Sequence, residues 1–439
     1  MHRKSWIVAI VIVIIGVAFI FFIGQRKQAN KEDVEEEIII DEYLDEVKEY
    51  SQYTVEISVD EEAKFYKGIA QISYIHNYDR VTERILMNAE GIRVSSIQLN
   101  SDPVAYTEEK SDILIQSPFT IEKGEELTLT IEFEGMLDNN IIPTILAFDE
   151  ELGWSINNGR KKDFGPLIEL GNYVVTVFTP KGKYPIGTGI IEDILESNGM
   201  IETSFRANRV RGFGIFIDDH MEKETINTEA GYSVVLYYQD EDDIAKELMP
   251  EIEKSIGIYS EIFGMYPYEQ FTVIHKKDQE GKSYPTLVAG DFSTWIDRRN
   301  TLNILVGKQW LGYIIGSNRK SDSLINDGLL EYLSKRQYLS EGQMKSYIES
   351  NEGSDDTYGL DNYQAIMNMF YNIEIRLGEE GFMETLRAYY RKYSFGRPTG
   401  YDLMETIEEV TGKDVMDIYD LWLNRTMLRG GGIYESNNT

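Results

Sequence analysis

Histidine and cysteine, the side chains most used to bind a transition metal or to activate an attack on a carbonyl, are scarce in this chain of 439 residues. Cysteine is absent, which removes thiolate ligands and thiol nucleophiles together. Four histidines remain, His2, His76, His220 and His275, and none has a partner at metal spacing. Two imidazoles reach one ion from a helix when they stand at i and i+4. His275 follows the strand-like run QFTVI and is the one candidate replacement ligand; a surface or strand-end histidine without a metal is the competing reading. The chain has no G-x-S-x-G elbow, no phosphate loop, and no acid pair that stands out from 75 Asp and Glu. Acidic runs such as EEEIIIDE and QDEDD lack the D-x-D-x-D-G pattern of a calcium loop and read as solvated faces or linkers.

The elements that would position a site change character along the chain. From Tyr53 the apolar period is two: Tyr53, Val55, Ile57 and Val59 alternate with polar residues, as a half-buried strand requires. The alternation returns at Leu127, Leu129, Ile131 and Phe133, and again at Tyr173, Val175 and Val177, which predicts an antiparallel β-sandwich over 51–240. From Glu241 the period becomes helical. Ile244, Leu248, Ile252, Ile256, Tyr259 and Phe263 share one face that ends at Gly264 and Pro267, which opens a second domain over 241–429. Residues 430–439 read as a flexible tail.

The first residues belong to neither domain. Trp6 to Ile23 run eighteen residues without a charge, about 27 Å of helix at 1.5 Å per residue, enough to cross a bilayer. GQRKQANK follows in place of a small-x-small cleavage site, so 1–31 reads as an uncleaved signal anchor with its transmembrane helix over 6–23. An acidic stalk over 32–50 follows, with Ile40, Tyr43, Leu44 and Val47 at helical spacing. The formal net charge is −32, and residues 1–31 hold Lys and Arg but no acid, so the rest is more acidic still. Such a domain repels polyanions, which argues against nucleic acid as a partner.

The segment Ile304 to Tyr332, ILVGKQWLGYIIGSNRKSDSLINDGLLEY, carries a resemblance. It is similar to the H-E-x-x-H-Q-W-F-G helix and the downstream L-N-E-G-F-A-E-Y helix of the membrane alanyl aminopeptidase family, a branch of the gluzincin zinc metallopeptidases. Gln309, Trp310 and Gly312 match the shoulder of the first motif, and Asn326 and Gly328 flank Asp327 in the second. The resemblance therefore puts Ile304 at the first His ligand, Leu305 at the general base, Lys308 at the second His and Asp327 at the Glu ligand. Lys308 and Asp327 keep the family's separation of nineteen positions. YVVTVFTPKGKYPIGTG, VRGFGIFI and the segments that follow Asn362 extend the likeness over almost all of the soluble chain.

What the resemblance implies is a fold without its chemistry. Family members use zinc to polarise a scissile carbonyl and to lower the pKa of a bound water to about 7. Ile304 and Leu305 offer no donor, and the Lys308 ammonium repels a cation. The amine-recognition motif appears as GKSYP, with Ser283 in place of the Glu that holds a free amino terminus and Lys282 beside it. Tyr363 falls on the family's oxyanion-stabilising tyrosine and Tyr358 on a second tyrosine, but the surrounding YQAI, with Ala365 and Ile366, points to a packing role. A charged lysine facing a core needs a partner or an escape to water. A Lys308–Asp327 ion pair across the vacated metal position and a Lys308 that reaches into solvent are the two readings.

The fold expected is α+β and multidomain: a transmembrane helix, an antiparallel β-sandwich (saddle) domain, then a thermolysin-like, mainly helical domain of catalytic type. The function expected is that of a single-pass membrane protein; the charges flanking the span do not set its orientation, and the resemblance implies a soluble part outside the cytoplasm. It would be a pseudopeptidase with no zinc or other cofactor, and it would bind a peptide or a neighbouring membrane protein. Two alternatives stand beside it: a working zinc aminopeptidase with non-standard ligands, drawn from Asp327, His275 and a further acid, and a structural or regulatory subunit of a membrane complex.

Overall fold

The computed structural model describes residues 50–429 apart from 61–63, 77–80, 89–91, 110–111, 138–140, 143–146, 149–169, 220, 240–243, 318–319 and 352–359. The expected membrane span over 6–23, the stalk up to Glu49 and the tail at 430–439 lie outside the described residues. Among the described residues no helix is long and apolar enough to cross a membrane.

The alternating runs build one sheet. Its eight strands lie in the order Ile190–Ser197, Met200–Val210, Gly171–Pro180, Ser51–Asp60, Phe65–Ile75, Glu126–Met136, Ile92–Leu99 and Asp102–Pro103. Tyr53, Val55, Ile57 and Val59 turn one face of it inward, joined by Leu127, Leu129, Ile131, Phe133, Tyr173, Val175 and Val177, all buried. A four-stranded sheet closes over that face with Ile85, Met87, Ile113 and Ile115. Each such aliphatic side chain contributes about 1.5–3 kcal/mol on full burial. The expected all-antiparallel sandwich needs one correction: Ser51–Asp60 pairs with Gly171–Pro180 in parallel. Alternation reports which face a side chain takes and carries no strand direction, and a long connection supplies the crossover that a parallel pair demands.

The second sheet has five strands, in the order Glu222–Asn227, Ser233–Tyr238, Gln270–His275, Leu287–Gly290 and Lys282–Tyr284. Ser233–Tyr238 runs parallel to Gln270–His275, and helix α1 (Ile244–Ile262) makes the crossover between them. The strands Glu222–Asn227 and Ser233–Tyr238, which the sequence places before residue 240, are thus hydrogen-bonded into the sheet that follows it. Local alternation marks a strand without saying which sheet it joins. Ile186, Phe216, Ile274, Leu287 and Ala289 form a small core where the two halves meet.

Helices supply the rest. α2 (Trp295–Asp297) continues through a π-helical turn at Arg298–Leu302 into α3 (Asn303–Gly307). α4 (Lys320–Arg336), α5 (Glu341–Asn351), α6 (Leu360–Leu377), α7 (Glu379–Tyr393), α8 (Gly400–Thr411) and α9 (Met416–Arg429) follow. The predicted face of α1 is buried throughout, from Ile244 to Tyr259, and it packs with Val306, Trp310, Leu329 and Leu330 in one core.

Candidate functional site

The site is framed by α3 on one side, α4 on the other and the edge strand Lys282–Tyr284 beside them. Close approach of the helices depends on two glycines. A Cβ on Gly307 would stand 2.5 Å from the Tyr259 ring and 2.7 Å from Leu330 Cδ2, and one on Gly328 would stand 2.3 Å from Ile366 Cγ2. These contacts bring α1, α3, α4 and α6 together around Asp327. Trp310 is fully buried, stacks on Tyr259 at 5.8 Å between ring centroids, and donates its indole N–H to the Gly264 carbonyl at 2.9 Å.

Ile304 and Lys308 stand one helical turn apart, joined by the Lys308 N–H to Ile304 carbonyl bond at 3.0 Å. Both are partly exposed, whereas Leu305 points into the core. Lys308 Nζ lies 3.6 Å from Asp327 Oδ1, within ion-pair range, and the two side chains are 39% and 28% exposed. Burial pushes the Asp327 carboxyl above the usual range, although the adjacent Lys308 ammonium pulls the other way. Desolvation is the stronger influence because at 3.6 Å the ammonium makes only a loose contact.

These residues do not fit a zinc ion. Zinc takes four nitrogen, sulfur or oxygen donors, and an ammonium beside the one carboxylate disfavours any cation there. Ile304 and Leu305 add no donor. Among the described residues no group of three or more His, Cys, Asp or Glu side chains is arranged to hold a metal.

Ser283 is held from three directions. Its hydroxyl donates to the Leu305 carbonyl at 3.3 Å and accepts from Gln309 Nε2 at 3.2 Å, and its carbonyl accepts the Tyr313 hydroxyl. Gln309 is fully buried; it also donates to the Tyr284 carbonyl at 3.0 Å and accepts the Thr286 N–H at 2.8 Å. Thr286 sits at φ +60 and in turn accepts the Gly189 N–H at 2.7 Å, which links the site to the first domain. Tyr313 and Thr286 are positioning residues that motif reading passes over, and Gln309, which the motif match uses only for register, is a third; a buried amide just past the end of α3 is the available signal.

The other candidates are more scattered. Tyr363 lies on α6, three positions before Ile366, and Tyr358 lies outside the described residues. Ile366 is fully buried and fills the space opposite Gly328, the packing role its apolar character implies. His275 ends its strand buried, not on the surface, and its Nδ1 accepts the Phe292 N–H at 3.0 Å. Lys282 pairs with Glu280 at 2.9 Å on the open edge. His76 is buried in the first domain, and His2 and His220 lie outside the described residues.

Comparison with known proteins bears on the same residues. Residues 300–422 match the peptidase family M1 domain. A stretch of 49 residues is 39% identical to an aminopeptidase N of Lactococcus lactis subsp. lactis; it is 11% of this chain and spans only 6% of that protein. Among solved structures, an M1 zinc metallopeptidase from Deinococcus radiodurans superposes with a TM-score of 0.67 at 15% identity, over 84% of this chain and 93% of that one. A mutant of the same enzyme bound to a Tyr-Ser-Ala substrate gives 0.66 over 84% and 93%, at 15% identity. At that identity the likeness concerns the fold.

Proposed function

From the premise that this chain is a degenerate member of the peptidase family M1, lacking the H-E-x-x-H ligands, we propose that it is a pseudopeptidase. It retains the frame of a metallopeptidase, does not hydrolyse peptides, and binds a short peptide or a chain end, free or displayed by a neighbouring membrane protein. Its apolar segment at 6–23 anchors it in a membrane as a single-pass protein, with the folded part outside the cytoplasm. The observation that carries this reading is the Lys308 ammonium, 3.6 Å from Asp327, where a member of this family would present a metal ligand. Loss of the base at Leu305 and of the amine anchor at Ser283 supports it independently. Three groups of different chemistry would need replacement before water could be activated and a substrate aligned. A short peptide as ligand is in keeping with the similar Deinococcus radiodurans mutant structure, which is bound to a Tyr-Ser-Ala substrate.

Metal analysis of the full-length chain in detergent, run beside hydrolysis of aminoacyl fluorogenic substrates, tests the reading. Zinc well below one equivalent and no chelator-sensitive turnover are expected. Stoichiometric zinc together with turnover that a chelator abolishes would overturn it.

A further inference from the structure

Acceptors and donors are unequally committed at the site. A free amino terminus needs a carboxylate or several oxygens to receive its three N–H groups. The Asp327 carboxylate already faces Lys308, the Ser283 hydroxyl is bonded to both Leu305 and Gln309, and the Ser283 carbonyl accepts Tyr313. The donors are less occupied. Lys308 carries three N–H groups, its contact with Asp327 is loose at 3.6 Å, and its side chain is 39% exposed. Lys282, equally exposed, stands on the neighbouring edge strand and among the described residues pairs with Glu280, itself 74% exposed. Ile304, one turn before Lys308, is itself partly exposed and adds an apolar side chain beside it.

We infer that the surface formed by Ile304, Lys308 and the Lys282–Tyr284 edge takes its peptide by a carboxylate, with Lys308 as the anion's partner, and not by a free amino terminus. A ligand carboxylate at ordinary contact distance, about 2.8 Å, gives Lys308 a shorter charge-assisted bond than Asp327 does. Asp327 then acts as a competing anion that sets the threshold for binding. The inference rests on the binding role proposed above and names the chemical class of the ligand.

The test uses full-length protein in detergent micelles and random tetrapeptide pools in which Asp and Glu are omitted. The pools carry free ends, an acetylated amino terminus or an amidated carboxyl terminus, and retention is read by mass spectrometry. Acetylation is expected to leave retention unchanged, whereas amidation lowers it about tenfold, the worth of one hydrogen bond to a charged group. Lys308→Met should lose the retained pool, Lys308→Arg should keep it, and Asp327→Asn should increase it by removing the competitor. An amidated pool that contains Glu and is retained through Lys308 also supports carboxylate docking and assigns it to side chains. Retention abolished by acetylation, equal for acid and amide, or absent from every pool overturns the inference. If Lys308→Met does not fold, the end-group comparison and Asp327→Asn still decide. New amino termini in the same spectra would instead report hydrolysis and sink the pseudopeptidase reading, leaving the end-group preference to stand or fall separately.

Discussion

Removing either member of the Lys308–Asp327 pair should have unequal consequences for stability. Asp327 is the more desolvated partner, and burial holds its carboxyl above the usual range. Lys308→Met leaves that carboxylate without its only compensating charge among the described partners, whereas Asp327→Asn leaves an ammonium that swings into water. At 4 Å and a surface-like dielectric two unit charges attract by about 4 kcal/mol, but exposed pairs measure about 0–1 kcal/mol net. With side chains 39% and 28% exposed, the loss in Lys308→Met at neutral pH falls between these limits, about 1–2 kcal/mol. Asp327→Asn should change stability by less than about 0.5 kcal/mol, because relief of the carboxylate's desolvation offsets the lost attraction to Lys308. The pH dependence fixes the cause. A carboxyl whose folded pKa exceeds its unfolded value of about 3.9 contributes stability that is present below the unfolded value and lost as pH rises through the folded one. Lys308 offsets part of that loss, so the deficit of Lys308→Met should be full at neutral pH and vanish as pH falls well below the unfolded value, where Asp327 is protonated in both states. Denaturant midpoints followed by tryptophan emission give the measurement, since buried Trp310 and Trp422 both report the second domain. Equal deficits in the two variants, or a Lys308→Met deficit that persists unchanged at low pH, would refute the argument.

Other outcomes follow from the same geometry. Ile304→His combined with Lys308→His places two imidazoles one turn apart facing Asp327, and this double variant should bind zinc and gain thermal stability in proportion to zinc concentration; no metal-dependent shift would mean the helix register is not that of a metal site. Gly328→Ala drives a Cβ to 2.3 Å from Ile366 Cγ2 and should destabilise by about 1–2 kcal/mol despite the better helix propensity of alanine, as denaturant midpoints will show. Gln309→Ala strands the Thr286 N–H and releases Ser283 and Tyr284, costing about 3 kcal/mol; faster amide exchange in the Lys282–Gly290 hairpin would accompany it.

Period-two alternation placed Tyr53–Val59, Leu127–Phe133 and Tyr173–Val177 on strands with the correct face inward, because burial on a sheet is a local pattern. Direction and partnership are not local. The parallel pairing of Ser51–Asp60 with Gly171–Pro180 depends on chain more than a hundred residues away, and nothing in either strand encodes it. For the same reason the strands after Glu222 could not be assigned to the second sheet. At the site, the resemblance's interval from Lys308 to Asp327 named two side chains that stand 3.6 Å apart, but it left open whether they pair or Lys308 reaches water, because the residues between them are not one helix. The constraint on Ser283 was not legible, since it comes from Gln309 and Tyr313, which lie 26 and 30 positions away. A serine in place of a glutamate reads in sequence as a lost anchor; in three dimensions it is also a tie between the edge strand and α3.

The polar links around the site explain why the frame can stand without a metal and what role this leaves for the ion pair. Asn303 Nδ2 reaches Ser334 Oγ at 3.3 Å and Gln337 Oε1 at 3.2 Å, joining α3 to the end of α4, while Arg336 forks onto Glu374 to join α4 to α6. Beneath them Tyr259, Val306, Trp310, Leu329 and Leu330 form a continuous apolar core. Burial of five such side chains contributes on the order of 10 kcal/mol, several times what a half-exposed ion pair supplies. Lys308–Asp327 is therefore not what holds the helices together, and a methionine at 308 could fill the space with the loss of only a kcal/mol or two. A loosely paired, half-exposed ammonium contributes little to folding and is well suited to an incoming anion. On that ground carboxylate binding, more than stability, is the property by which Lys308 should be judged.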